Sequence, residues 1–187
     1  MKSFILILLA CLPPFGPSLA GAAPQPPAHA PARIELRDQY DAPQRLAFPG
    51  TNLVVLTLAD KKGAEQIDGW VTALKARYTG RIELRGLADV GTVPGWLRGT
   101  VRKKFRETRT YPVMMDWSGK VVSELGCQPG LANVLVIGPE GNIHARMAGP
   151  AHPAALKELF TVIDAALLQS APFPTNITTK SAGYLPP

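Results

Sequence analysis

Cysteine is almost missing from this 187-residue chain, which holds only Cys11 and Cys127. Cys11 falls in a segment with the marks of a removable leader, so the mature chain is expected to carry one thiol. One thiol makes no intramolecular disulfide and no Cys-x-x-Cys redox pair. Histidine is scarce too, with three residues. His144 and His152 lack the spacing of a metal pair, so no metal site and no cofactor are expected. There is no Gly-rich phosphate loop and no paired-carboxylate signature, and spacing alone supports no Ser-His-Asp set. Long apolar runs are also lacking. The run from Phe4 to Leu12 is too short to span a bilayer, and no transmembrane span is expected.

What is present begins with that leader. Lys2, the apolar run, helix-breaking prolines and Ala20-Gly21-Ala22 form a secretory signal pattern over residues 1–22. Cleavage near Ala22 gives a periplasmic or secreted chain starting near Ala23. Leu8-Leu9-Ala10-Cys11 also resembles a lipobox, so an envelope lipoprotein anchored through Cys11 is the alternative. The formal charge is +6, basic but not extreme, and names no partner. Export argues against nucleic acid as that partner.

Residues 23–32 (APQPPAHAPA) read as a Pro/Ala-rich linker, residues 33–169 as one folded domain, and residues 170–187 as a flexible tail. The sequon at Asn176 lies in that tail. Within the domain, Ile34-Glu35-Leu36 is an edge-strand candidate and Asp38 to Pro43 a turn. Asn52 to Ala59 reads as a strand buried on both faces. Ala64, Ile67, Val71, Leu74 and Tyr78 keep a helical spacing that Gly80 ends. Ile82 to Leu87 is a strand, and Pro94 opens a helix to Thr108 with Leu97, Val101 and Phe105 on one face. Tyr111 to Met115 is extended, and a helical turn follows near Val121 to Leu125. Asn133 to Ile137 and Ile143 to Met147 form a hairpin around Pro139-Glu140-Gly141-Asn142. Pro153 to Gln169 closes the domain as a helix. Trp70, Trp96 and Trp117 read as core or rim packing residues.

The order is βαβα, then ββα, in a three-layer α/β/α sandwich around a mixed central sheet. ADVGTVPGWLRGTVRKKF (88–105), YPVMMDWSGKVVSELG (111–126) and ANVLVIGPEGNIHARMAG (132–149) resemble the redoxin, AhpC/TSA-like branch of the thioredoxin-like superfamily. The resemblance is nearest to small exported proteins of the YtfJ type, through Val93, Pro94, Gly95, Val101, Arg102 and Phe105. It implies a redox Cys at the start of the first long helix, where amide groups and the helix dipole stabilise a thiolate. The matching window, Asp60 to Gln66, has no Cys, Ser or Thr. The cis-Pro that packs on that Cys would fall near Ala132, where this chain has none.

Three sets of residues remain as candidates. Asp60, Lys61, Lys62 and Gly63 form a degenerate active-site loop. It reads either as an anion site or as a solvated turn that Asp60 caps. Cys127, in GCQPG, is either a lone redox thiol or an inert one. Arg98, Arg102, Lys103, Lys104, Arg106 and Arg109 line the second helix as an interaction face or a solvated one. The leading expectation is a non-catalytic binding or accessory module of the cell envelope, whose partner is an envelope protein or a small anion. A single-cysteine oxidoreductase and a basic-helix assembly protein are the alternatives.

Overall fold

A computed structural model of the chain describes residues 27–170. The leader, Cys11, the first residues of the linker, the sequon and the tail beyond 170 lie outside those residues. Seven strands and four helices follow one another as β1 (Arg33–Asp38), β2 (Pro43–Ala47), β3 (Val54–Ala59), α1 (Ile67–Tyr78), β4 (Glu83–Asp89), α2 (Arg98–Thr108), β5 (Val113–Asp116), α3 (Lys120–Glu124), β6 (Asn133–Ile137), β7 (Ile143–Ala148) and α4 (Pro153–Ser170). They build one mixed sheet in the order β2-β1-β5-β4-β3-β6-β7. β3, β4 and β5 are parallel, because helices carry the chain back between them. β6 joins β3 antiparallel, and the hairpin β6–β7 completes that side.

Burial follows from the sequence of the central strands. Every residue of β3 and of β6 is buried, as their near-continuous apolar runs suggest, with Thr57 and Asn133 the polar exceptions. Val55, Ala59, Val134 and Val136 meet Trp70, Leu74 and Tyr78 of α1 and Leu159 and Ile163 of α4. Each such large side chain contributes roughly 1.5–3 kcal/mol by leaving water. Leu56, Leu58, Leu135 and Ile137 point the other way and meet Leu125, Val121 and Val122 around α3. Residues of α2 cover Ala88, Val113 and Met115 through Val101 and Phe105. Helices thus lie on both faces of the sheet, in three layers. Two side chains lock α1 in place. The Trp70 indole donates to the Gly149 carbonyl at 2.8 Å, and the Tyr78 hydroxyl donates to Asp164 of α4 at 3.0 Å.

Three expectations are corrected, and one strand was missed. β1 is not an edge, because β2 pairs along it from Arg33↔Ala47 to Arg37↔Pro43. β2 went unread since PQRLA buries only Leu46 and shows no apolar alternation. The Pro/Ala segment is not a free tether from Pro27 onward. Ala28 and Ala30 exchange backbone hydrogen bonds with Ile143 and Gly141, and Phe48 donates to Ala32. Trp96 does not pack: it is 81% exposed, on a 3-10 turn ahead of α2.

Candidate functional site

The carboxyl end of β3 delivers Asp60, and a 3-10 turn (Gly63–Gln66) leads from there into α1. Asp60 Oδ1 accepts from the backbone N–H of Lys62 at 2.9 Å and of Gly63 at 2.8 Å. Its Oδ2 accepts from the N–H of Gly130, seventy residues away, at 2.7 Å. Partial burial works against the charge of this carboxylate. The N–H groups of Gly63, Gly130 and Lys62 outweigh it, with help from the Lys62 ammonium, and the pKa falls below the usual Asp value. The amides that open the turn therefore already hold an anion, supplied by the chain itself.

Main-chain packing closes the same place. A Cβ built on Gly63 would stand 2.3 Å from the carbonyl carbon and oxygen of Leu131 and 2.8 Å from the Ala132 nitrogen. No side chain fits there. The Ala132 N–H donates to Gln66 Oε1 at 3.1 Å. Asn133, 5% exposed, clasps the rest of the loop. Its Oδ1 accepts from Gln128 N–H, and its amide donates to the Gln128 and Leu131 carbonyls. Lys61 and Lys62 stay exposed at the rim and make no ion pair among the described residues.

Cys127 sits in that clasped loop, half-buried against the apolar layer around α3. Burial pushes its thiol up to about 11. Arg146 acts to lower it and Asp89 adds to the rise, and the sum leaves almost no thiolate near neutral pH. Arg146 was invisible in sequence, lying nineteen residues on in β7, and its guanidinium is engaged with the Leu125 and Pro27 carbonyls.

The basic residues of α2 do not form one face. Arg102 pairs with Asp41 at 2.9 Å and, with Arg98, stacks on the Trp117 ring. Arg106 donates to the Gln39 carbonyl at 2.8 Å, and Arg109 bonds to Asp68. Lys103 and Lys104 alone among the six project to solvent without a partner among the described residues. His144 is exposed beside Asn142, and His152 is exposed ahead of α4. Among the described residues no group of three or more His, Cys, Asp or Glu is placed to hold a metal.

Sequence reasoning missed a cleft beside α1 above β3 and β4, which α2 borders only at its smaller end. Its larger lobe, about 380 Å³, is lined by Val71, Leu74, Lys75, Leu84 and Tyr111 among others. A smaller lobe of about 180 Å³ adjoins it, with Ile67, Ala88, Lys104 and Phe105. Thr57, Gly86 and Tyr111 line both lobes. The residues come from five segments, so no local motif could have announced the cleft.

No family model matches the chain, and no curated protein matches it. Solved structures do. A putative thiol:disulfide interchange protein DsbE from Chlorobium tepidum matches with a TM-score of 0.57 at 19% identity, over 78% of this chain and 99% of that one. The exposed lipoprotein thioredoxin Etrx1 of Streptococcus pneumoniae matches at 0.56 and 15% identity, over 71% and 99%. Peroxidoxin BcpB of Mycobacterium tuberculosis matches at 0.52 and 16%, over 75% and 97%. At these identities the likeness establishes a thioredoxin-like fold and leaves the chemistry to the residues.

Proposed function

We propose that this protein is a non-catalytic, thioredoxin-like binding module that works outside the cytoplasm. The carrying observation is the turn after β3. A thiolate there would need the amides that Asp60 already occupies and a side chain where Gly63 meets Leu131. Thiol-disulfide exchange and thiol peroxidase chemistry both start from a thiolate. The only cysteine among the described residues is half-buried with its pKa raised to about 11, which argues against the single-cysteine alternative.

The placement outside the cytoplasm is supported by the leader pattern over residues 1–22 and by the likeness to an exposed lipoprotein thioredoxin. No described helix is long and apolar enough to cross a membrane.

The test is a pair of assays, insulin disulfide reduction with a dithiol reductant and turnover of hydrogen peroxide, on the wild type and Cys127→Ser. Both proteins are expected at the background rate. Turnover by the wild type that Cys127→Ser abolishes would overturn the reading.

A further inference from the structure

One tryptophan stands almost clear of the domain. Trp96 is 81% exposed, on the 3-10 turn (Gly95–Leu97) that opens α2. Nothing crowds that turn, since a Cβ built on Gly95 or on Gly99 would meet no atom within 4 Å. The other two indoles are engaged. Trp70 is fully buried and donates to the Gly149 carbonyl, and the Arg98 and Arg102 guanidinium groups lie over the Trp117 ring. A single exposed apolar residue is ordinary on any protein. What sets Trp96 apart is the charge beside it.

In α2, Val101 and Phe105 face the sheet, and the opposite side of the helix exposes Gly99, Lys103 and Glu107. Glu107 is the only carboxylate of the helix. Arg102 and Arg109 are paired with Asp41 and Asp68. Arg98, Lys103, Lys104 and Arg106 have no carboxylate partner among the described residues. Arg98 stacks on an indole and Arg106 bonds to a carbonyl, which leaves both charges in place. A second exposed aromatic adjoins them. Tyr40, 53% exposed, sits on the turn that Arg102 and Arg106 hold to the flank of α2 through Asp41 and the Gln39 carbonyl.

We infer that α2 and the turn before it dock on an anionic phospholipid surface. The Trp96 ring enters the interfacial layer, where an indole keeps its apolar body among the acyl chains and its N–H near water and headgroups. The cations without counter-anions lie over the headgroup phosphates, and this complementarity selects an anionic surface over a neutral one. A protein partner would call for a contiguous apolar patch packed around its anchor. Here Gly95, Arg98 and Gly99 flank one ring. The inference goes beyond the binding role proposed above by naming a surface for it, and it uses nothing of the closed turn.

The test is quenching of tryptophan emission by bromine-labelled phosphatidylcholine in vesicles, with the full chain. One set of vesicles is neutral, and the other carries about one-third phosphatidylglycerol. The leader contains no tryptophan, so an insertion of its apolar run, alike in both sets, leaves the emission of the domain to report on docking. Strong quenching is expected on the anionic vesicles and little on the neutral ones. It should fall at least about twofold in Lys103→Gln/Lys104→Gln and on raising the salt to about 0.5 M. Trp96→Ala should abolish it. Leu168→Ala, a change at an 80% exposed leucine on α4, should leave it as in the wild type. Equal quenching on both sets, quenching that survives Trp96→Ala, or an unchanged lysine variant would overturn the inference. So would self-association that Trp96→Ala abolishes with no quenching on either set, which would give this face to a second copy of the chain. None of these results bears on the redox assays, so this inference and the non-catalytic reading fail separately.

Discussion

The turn after β3 and the cleft beside α1 lie on the same strands and are built in opposite ways. In the turn, four backbone amides are satisfied by side chains of the same loop. Asp60 takes three N–H groups, Gln66 takes a fourth, and Gly63 packs on the Leu131 main chain. In the cleft, Gly86 lies under Tyr111 and Val113 without a side chain of its own, and the lining ammonium groups of Lys75 and Lys104 make no ion pair among the described residues. The comparison teaches that one strand-helix scaffold can be packed shut by its own main chain at one end and left open along its side.

The largest effect expected from breaking this contrast is at Gly63. Gly63→Val drives a side chain into Leu131 and Ala132 backbone, which cannot swing aside. The midpoint of urea unfolding should drop by an amount equivalent to about 3 kcal/mol or more. A loss under 1 kcal/mol would mean that the turn is not packed shut.

Asp60→Asn comes next. The new amide places a donor against one of the N–H groups now facing a carboxylate oxygen, and stability should fall by about 1–2 kcal/mol at pH 7. The pH dependence has a definite sign. The folded pKa of Asp60 is lowered. Its contribution is therefore present above the unfolded value of about 3.9 and lost as pH falls through the lower folded value. The gap between wild type and Asp60→Asn should close below about pH 4 in parallel urea titrations. A gap that is constant from pH 7 to pH 3 would remove the anion from the account.

Gly86→Ala sharpens the other side with the smallest change. The added methyl meets only ordinary contacts, and glycine is unfavourable inside a strand, so stability should hold or rise by about 0.5–1 kcal/mol. A marked loss of stability would mean that Tyr111 and Val113 press on Gly86 more tightly than the geometry shows.

How much of this was legible in the sequence depended on how local each cause is. β3 and β6 announce themselves because each is a near-continuous apolar run. Helices α1 and α4 announce themselves by period. The hairpin of β1 and β2 stayed half hidden, since β2 buries one side chain and takes its register from β1. Asp60 sat in plain view as a polar residue ahead of a helix. Its third hydrogen bond, to Gly130, is set by the sheet and not by neighbours in sequence. The obstruction at Gly63 is equally nonlocal. The pairing of Arg102 with Asp41 and of Arg109 with Asp68 divided a helix face that looked uniformly basic. Trp96 went the other way, out into solvent, because the 3-10 turn that carries it buries nothing.

The most direct test of the central claim, that no reactive thiolate exists in the domain, is the pH profile of iodoacetamide alkylation of Cys127 in a native Cys11→Ala chain. The account predicts a slow reaction whose rate keeps climbing past pH 9, with an apparent pKa near the value of about 11. An apparent pKa at or below the free-thiol value of about 8.5, with fast labelling at pH 7, would contradict it.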